Sequence, residues 1–566
     1  MLGSDAIVEA FQHHGVSRIF IFPGGTIAPV LDSATRRGVE IYCARHEQGA
    51  GYAALATARL SGRPQVVMVT SGPGVTNIIT VVADAYFDST PLIVLTGQVG
   101  TGDMLGNLPL RQRGFQEVDT IALLRPVTKA QFLPKKPADL PGMMEQAFEV
   151  AASGRPGPVV VDLPMNVQRG EVGEIPGSDE HPARDGKSLH GVNPAQIRQV
   201  LEWLESSRKP VILAGQGVLI ARAQRELRAL AEHGQIPVTQ SLLGLGAFPT
   251  ASPLALGFHG HTGNQYAGRA LHEADLILVV GSRLDVRQTG SRFDDFGSGG
   301  RVVRIDLDLA ELEHSRIRSD LNLHADARSA LAALNAGLAG RALPDWSKWR
   351  ERIDRWRKEF PLNYDMDGAL KPQFVIETAN RLSGGRSVIC VSGVGSHQQW
   401  VARHFDFDYP TRIWLTSGGH GAMGFDLPVA IGSQLACPEA QVLCFVGDGS
   451  LQINIQELAA VAENKLPVKI IVLDNRRLGI VSQFQKFNWK SDPACGGKWN
   501  PDFAAIAIAY GITGITVGSV SEVEPALQKA FIEPGPVLVH CLVDPLEDVV
   551  PMLMAGQTMD KMWPYE

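Results

Sequence analysis

The sequence predicts an α/β protein in which three doubly wound domains are each built on a mainly parallel sheet. Its 566 residues suit about three domains of ordinary size. In three successive blocks, short apolar runs rich in β-branched residues alternate with helical patterns, as in βαβ units. Several of these runs end at glycine-rich turns, which is typical of the crevice beyond the carboxyl ends of parallel strands.

The first block, residues 1–168, contains four such runs. They predict strands at residues 18–22, 65–70, 92–95 and 158–163. Permissive turns follow three of them, and these turns are Pro23-Gly24-Gly25, Ser71-Gly72-Pro73-Gly74 and Gly97-Gln98. We expect the turns to face one crevice, because parallel strands end at the same edge of a sheet.

A linker and a central domain are predicted next. Residues 169–192 are rich in glycine, proline and charge and have no periodicity, as in a linker. The central block, residues 193–340, has predicted strands at 210–213, 236–239, 276–280 and 302–305. A connector, residues 341–370, follows it and contains a Trp- and Arg-rich stretch, 346–358, that predicts a helix.

The third block, residues 371–566, contains the most informative stretch, GDGSLQINIQELAAVAENKLPVKIIVLDN (447–475). Strands are predicted at 387–391, 442–446, 468–473 and 537–542. Between the second and third of these, Ile453, Leu458 and Val461 are spaced for one face of a helix. Asp448 and Asn475, 475 − 448 = 27 residues apart, follow the two flanking strands and therefore reach the same crevice.

A carboxylate and an amide beside glycine N–H groups and a helix N-terminus suit a Mg²⁺–diphosphate pair. The alternative is an ordinary turn in which Asp448 is a helix N-cap. Residues 70–97 repeat the layout of strand, glycine turn, helix and strand without the carboxylate. Two related sheets are therefore expected, and only the third block is expected to hold the metal.

Composition narrows the function classes. A net charge of −7 gives no support for a protein that binds nucleic acid or a membrane. The N-terminus lacks the apolar segment of a signal peptide, and no apolar run approaches membrane-spanning length. The six cysteines form no CxxC pair and no zinc spacing, which favours a reducing compartment. We therefore expect a cytosolic protein.

Further motifs lie in order along the chain. They are FPGG (22–25), RHEQGAGYAA (45–54), TSGPGVTN (70–77), LTGQV (95–99), GFQEVD (114–119), SGRPGPVVVDLP (153–164), GSRLDVRQTG (281–290) and LTSGGHGAMGF (415–425). With residues 447–475, they make nearly the whole chain resemble the acetolactate synthase (acetohydroxyacid synthase) group of thiamine diphosphate enzymes. The resemblance implies a pyrimidine-binding first domain, a central FAD-type domain and a diphosphate-binding third domain. It implies thiamine diphosphate, Mg²⁺ and FAD as cofactors.

The resemblance implies catalytic roles for Glu47, Gln116 and Met423. Glu47 would hydrogen-bond the cofactor aminopyrimidine and favour the tautomer that removes the C2 proton. Met423 would support the thiazolium ring and hold the cofactor bent, while Gln116 would line the active-site channel. By residue type alone, Glu47 suits a surface or capping position and Met423 a core position, so both roles depend on the motifs.

Contacts to the cofactors are implied in the same way. Those to thiamine diphosphate are Gly24, Gly25, Gly395, Ser396, His397, Gly421, Met423, Gly449, Ser450 and Gly479. Ser396 stands where the group more commonly has glutamine. The metal ligands would be the Asp448 carboxylate, the Asn475 side chain and the backbone carbonyl of Arg477.

The central domain is expected to bind FAD. The implied contacts are Arg283, Arg287, Gly215, Gly217 and Asp306, since arginine forks and glycine turns suit flavin phosphates. The alternative is a domain that is cofactor-free or binds ADP. In synthases of this group the flavin need not be reduced during turnover.

The expected substrate contacts are Phe115, Gln116, Ile480 and Phe484. Phe484 stands where typical acetohydroxyacid synthases have a tryptophan that favours 2-ketobutyrate as acceptor. Residues 100–114 form a segment that is longer than in typical relatives. Both departures leave the acceptor open.

The predicted function is decarboxylation of pyruvate and addition of the two-carbon unit to a keto acceptor, most simply a second pyruvate, giving 2-acetolactate. The alternatives are a larger ketone or nucleotide-linked keto-sugar as acceptor, a pyruvate oxidase-like flavoenzyme, and a cofactor-binding protein without catalysis. A homodimer or homotetramer with active sites at subunit interfaces is expected. A regulatory subunit and the pathway, branched-chain amino-acid biosynthesis or secondary or sugar metabolism, stay open.

Overall fold

A computed structural model describes residues 1–173, 191–491, 495–497 and 499–565. These residues form three six-stranded parallel sheets with helices packed against them, which confirms the predicted fold class. Most of the predicted linker lies outside the described residues, and the domain boundaries stay predictions.

The first sheet has the order β2-β1-β3-β4-β6-β5. Its strands are β1 (Arg18–Ile21), β2 (Glu40–Cys43), β3 (Gln65–Val69), β4 (Leu92–Gln98), β5 (Ala130–Phe132) and β6 (Val159–Pro164). The helices around it are α1 (Gly3–His13), α2 (Ala28–Arg36), α3 (Glu47–Ser61), α4 (Pro73–Phe87), α5 (Thr120–Leu124), α6 (Leu140–Ala152) and α7 (Met165–Arg169).

The central sheet has the order β12-β11-β10-β7-β8-β9. Its strands are β7 (Pro210–Ala214), β8 (Val238–Gln240), β9 (Ala255–Phe258), β10 (Leu276–Val280), β11 (Arg301–Asp306) and β12 (Leu321–His324). Its helices are α8 (Pro194–Ser206), α9 (Gln216–Ile220), α10 (Gln224–Gly234), α11 (Gln265–Glu273), α12 (Val286–Thr289), α13 (Leu309–Glu313), α14 (Ala327–Leu338) and α15 (Ser347–Glu359). The helix predicted in the connector is α15, and it buries Trp349 and Trp356 in the central core.

The third sheet has the order β14-β13-β15-β16-β18-β17. Its strands are β13 (Val388–Ser392), β14 (Arg412–Leu415), β15 (Gln441–Gly447), β16 (Lys469–Asp474), β17 (Thr513–Val517) and β18 (Val537–Leu542). Its helices are α16 (Pro372–Leu382), α17 (Ser396–His404), α18 (Asp426–Ala436), α19 (Asp448–Ile453), α20 (Leu458–Glu463), α21 (Gly479–Trp489), α22 (Phe503–Ala509) and α23 (Val520–Ile532). Counted in chain order, the strands are arranged as in the first sheet, so the expected relation between these two sheets is confirmed.

One helix prediction is wrong. The segment after β15 is not a single helix, because α19 ends before Asn454 and a 3₁₀ turn precedes α20. The Asn454 amide is used elsewhere, donating to the Gly424 carbonyl at 2.7 Å. Ile453 is consequently 45% exposed, whereas Leu458 and Val461 are buried.

The first and third domains share one apolar core. Helices α3 and α18 meet there at small residues. A Cβ atom on Gly432 would lie 2.2 Å from the Ala53 carbonyl oxygen, and the Thr57 hydroxyl donates to the Gly432 carbonyl at 3.3 Å. Close packing of these helices fixes the two crevices relative to each other within one chain. No helix in the described ranges is both long enough and apolar enough to span a bilayer.

Candidate functional site

The crevice of the third sheet brings Asp448 and Asn475 to adjacent strand ends. β15 and β16 pair in parallel, with Gly447 opposite Leu473, so the residues that follow lie side by side. The Asn500 amide donates to Asp448 Oδ2 at 2.6 Å and to Asp474 Oδ1 at 2.7 Å. Burial raises the pKa of Asp448, and the neighbouring Asp474 adds to the effect. A cation here would offset the buried negative charge. The N-cap of α19 is Gly447. The alternative in which Asp448 is the N-cap of an ordinary turn is therefore wrong.

The glycine turns converge on the same point. Gly395, with φ of +153°, precedes α17, and Ser396 is buried at the start of that helix. A Cβ on Gly479 would lie 2.6 Å from Ser396 Oγ and 2.8 Å from Asn475 Nδ2. A Cβ on Gly447 would meet His397 Nδ1 at 2.9 Å. Most of the predicted diphosphate contacts are therefore neighbours in the folded chain, in a cradle that leaves no room for larger side chains.

Asp426, which the sequence patterns did not single out, holds this cradle together. Its carboxylate lies 3.0 Å from His397 Nε2 and also accepts hydrogen bonds from Gly393 N–H and the Ser450 hydroxyl. Ser450 Oγ in turn accepts from Gly424 N–H at 2.8 Å. In the sequence, Asp426 stands directly after the motif LTSGGHGAMGF, and this position is the sequence feature that could have indicated its role.

Met423 lies against the same turn. A Cβ on Gly449 would approach Met423 Cε to 3.3 Å and Leu478 Cδ2 to 2.9 Å. Gly421, two residues earlier, has a φ of +73° that favours glycine. Asn475 Oδ1 accepts from Arg477 N–H at 3.1 Å, which brings Arg477 next to the predicted metal ligands.

The first sheet contributes Glu47, the first residue of α3. Its side chain is 5% exposed, and Oε2 accepts from Asn77 Nδ2 at 2.9 Å. His46 Nε2 lies 3.8 Å from the same oxygen. Asn77 is the last residue of the TSGPGVTN motif, and its hydrogen bond orients the carboxyl group.

Gln116 lies beside the Gly72 turn at the first-domain crevice, and its neighbour Phe115 lies at the surface of the chain. A Cβ on Gly72 would meet the Gln116 carbonyl oxygen at 2.9 Å, and Gln116 has a φ of +61°. Phe115 is 84% exposed. Gly24 and Gly25, two predicted contacts to thiamine diphosphate, have different surroundings. Gly24 packs against Thr70, whereas the space beside the Cα of Gly25 is open.

The predicted acceptor residues lie on α21, which begins at Gly479. Ile480 packs against the core of the third domain. Phe484 is 51% exposed and contacts Trp489 edge to face, with ring centroids 5.5 Å apart.

The central domain borders a cavity of about 450 Å³. Four predicted flavin contacts line it, and they are Gly217, Arg283, Arg287 and Asp306. Gly215 does not line it, since a Cβ there would lie 2.1 Å from the Gly281 carbonyl oxygen. His259 and His261, which the sequence patterns missed, also line it, and burial lowers their pKa values to about 4 and about 3. The wall therefore combines several guanidinium groups, including Arg283 and Arg287, with neutral imidazoles, a donor set that fits a phosphate-bearing planar cofactor.

Together, these features define a three-domain α/β protein with a crevice that suits a diphosphate-bearing cofactor. Family models for thiamine pyrophosphate enzymes match all three domains: the N-terminal TPP binding domain at residues 1–123, the central domain at 197–334, and the C-terminal TPP binding domain at 393–541. The chain belongs to the thiamine pyrophosphate enzymes, and within them to the acetolactate synthase-like group.

Named relatives support the narrower assignment. The chain is 38% identical over 577 residues to acetolactate synthase isozyme 3 large subunit of Escherichia coli K12, covering 99% of this chain and 98% of the relative. It is 38% identical over 573 residues to the acetolactate synthase large subunit of Corynebacterium glutamicum (99% and 89%). It is also 38% identical over 579 residues to acetolactate synthase 1, chloroplastic, of Oryza sativa (99% and 87%).

Proposed function

We propose that this protein is a carboligase of the acetolactate synthase type. It decarboxylates pyruvate and joins the remaining two-carbon unit to a keto acceptor, most simply a second pyruvate. Two pyruvate ions and one proton then give one 2-acetolactate ion and one CO₂. The observation that carries this proposal is the similarity to acetolactate synthases over the whole chain, with Glu47, Asp448 and Asn475 all present at their motif positions.

The third-domain crevice would hold Mg²⁺ and the diphosphate of thiamine diphosphate. The Asp448 carboxylate, the Asn475 side chain and the Arg477 carbonyl would bind the metal, and the cradle of glycines around Ser396 would bind the phosphates. Bound thiamine diphosphate supplies the carbanion chemistry. Glu47 holds a proton against the pyrimidine end. Asn77 donates to Oε2 and thereby orients the carboxyl group for that contact.

The central cavity is the proposed FAD site. Arg283 and Arg287 would pair with the phosphates of the flavin cofactor, and Asp306, at the end of β11, would be a further contact. The flavin has no redox role in this proposal. Anaerobic mixing of the purified protein with pyruvate checks this point, because rapid bleaching would indicate a pyruvate oxidase-like enzyme instead.

A homodimer or homotetramer with active sites shared between subunits remains the proposed assembly, since in the resembled family the acid at the Glu47 position and the metal site at the Asp448 position come from different subunits. A regulatory subunit and a cytosolic location stay predictions. Crosslinking or analytical ultracentrifugation of the purified chain would measure the assembly directly.

Product analysis tests the main proposal. The purified protein is incubated with pyruvate, thiamine diphosphate, FAD and Mg²⁺, and 2-acetolactate and CO₂ are measured. We expect both products in equal amounts, and neither with the matched Asp448→Ala variant. Release of CO₂ without acetolactate, or no release at all, would overturn the proposal.

A larger acceptor is the second candidate, and two observations favour it. Phe484 and Phe115 are both strongly exposed, and exposed residues dominate the loop at 105–113. These exposures are those of a single chain, and an acceptor side that stays open in the assembly would fit a bulky ketone. Candidate ketones would be added at increasing concentration to the pyruvate reaction, and suppression of acetolactate with appearance of a new adduct would identify the acceptor.

A further inference from the structure

Two buried carboxyl groups make hydrogen bonds between the first and third domains of one chain. Glu457 belongs to the third domain and contacts the turn that begins α3. Asp88 belongs to the first domain and contacts the loop that precedes α18. Both side chains are fully buried, and neither belongs to the predicted cofactor contacts.

Glu457 holds the turn that carries Glu47. Its Oε1 accepts from the Arg45 N–H at 3.0 Å. A Cβ atom on Gly49 would lie 2.1 Å from the same oxygen, so the carboxyl group fits tightly against the first turn of α3. Burial raises the pKa of Glu457 to about 7, while the N–H groups of Arg45 and His46 oppose the rise.

Asp88 does the same for the loop that carries Met423. Its Oδ2 accepts from Gly418 N–H at 2.9 Å, and its Oδ1 accepts from Gly419 N–H at 2.7 Å. Arg59 Nη2 donates to Oδ2 at 3.0 Å, and Arg59 Nη1 donates to the Thr416 carbonyl at 2.6 Å. A carboxylate that accepts two consecutive peptide N–H groups fixes the course of the backbone there.

We propose that Glu457 and Asp88 are reciprocal positioning residues: each domain of a chain, through one buried carboxylate, sets the backbone that presents the other domain's cofactor-facing residue. Glu457 sets Glu47, and Asp88 sets Met423. Neither residue touches reacting atoms. The inference rests on the proposed function for the roles of Glu47 and Met423.

Proton exchange at C2 of bound thiamine diphosphate, measured without pyruvate by deuterium incorporation, tests the Glu457 half. Glu457→Ala removes the carboxyl group that accepts from the Arg45 N–H. Gly49→Ala keeps this group but displaces it, because the new Cβ atom would lie 2.1 Å from Oε1. We expect both variants to slow C2 exchange by about 10- to 100-fold and to leave cofactor affinity little changed. A displaced Glu47 carboxyl group slows proton transfer, whereas the groups that bind the diphosphate are not altered. Glu457→Gln keeps an acceptor oxygen and should restore exchange.

Glu463→Ala is the matched control. Glu463 Oε2 also reaches Arg45, at 2.5 Å from Nη2, but this pair is exposed and should contribute little. If Glu457→Ala does not fold, as judged by thermal unfolding, Gly49→Ala decides. Exchange at the wild-type rate in either folded variant would overturn the proposal, as would equal slowing in Glu463→Ala.

For Asp88, the readout is the near-ultraviolet circular dichroism of the bound cofactor, which reports the tautomer that the bent cofactor favours. Asp88→Ala should lose this signal and Asp88→Asn, which keeps one acceptor, should retain part of it. An unchanged signal in Asp88→Ala would overturn this half. A wild type that exchanges C2 but forms no acetolactate would sink the proposed function alone, whereas a wild type without exchange would sink both.

Discussion

Replacing Glu47 with glutamine separates proton transfer from binding. The carboxyl group is buried, and the Asn77 amide donates to it at 2.9 Å. A glutamine fills the same volume, and its carbonyl oxygen can accept from Asn77, so the fold should survive. The remaining amide NH₂ cannot hold a proton as a carboxyl does. We therefore expect C2 exchange to fall by about 10²- to 10⁴-fold, the usual share of general acid–base catalysis.

The Asn77→Ala variant sets the scale for comparison. It removes one hydrogen bond to the carboxylate, worth about 1.5–3 kcal/mol, which corresponds to roughly 10- to 100-fold in rate. Exchange should thus fall less than in Glu47→Gln. Cofactor affinity, measured by fluorescence quenching, should be similar in both variants, because the diphosphate end is untouched. A Glu47→Gln variant that exchanges as fast as Asn77→Ala would refute the assignment of Glu47 as the acid.

Three further changes have expected outcomes. Asp448→Asn should raise the Mg²⁺ concentration needed for half-maximal activity by at least about 10-fold, and an unchanged requirement would exclude Asp448 as a ligand. Phe484→Trp should raise the yield from 2-ketobutyrate relative to pyruvate by about 3- to 10-fold in a competition assay, and an unchanged ratio would place acceptor choice elsewhere. Burial raises the pKa of Asp162 to about 6, against hydrogen bonds from Thr96 and Gln98. The folded state disfavours the charged form of Asp162. The free energy of unfolding should therefore decrease as the pH rises from about 4 to about 6, by up to about 3 kcal/mol. Asp162→Asn should lose that slope in denaturant titrations, and a parallel slope would contradict this.

The sequence patterns located the strands that lie inside each sheet and missed those at the edges. All predicted runs became interior strands, such as β15, whose residues are buried almost throughout. The outer strands were missed because one side is open, so their residues need not be apolar. β2, for example, reads Glu-Ile-Tyr-Cys with a half-exposed pattern, and β17 contains a glycine.

The site residues were predictable where a motif carries them and not where distant segments meet. Asp448 and Asn475 follow from strand register, because parallel neighbours end together. Asp426 and Asn500 do not, since each acts on groups far away in sequence. The pairing of Asn77 with Glu47, 30 residues apart, likewise depends on how α3 packs against α4.

The first and third sheets share one strand order but present different sets of predicted site residues. After the third strand of the third sheet, the turn places a carboxylate, Asp448, at the helix start. After the third strand of the first sheet, the equivalent turn has Gly72, and the helix that follows supplies Asn77, which orients Glu47. The turn that is predicted to bind the metal therefore carries a carboxylate itself, whereas in the first sheet the predicted acid, Glu47, stands on a neighbouring helix, α3. In both halves, a buried carboxylate from the opposite domain of the same chain accepts hydrogen bonds from the backbone near the predicted site residue.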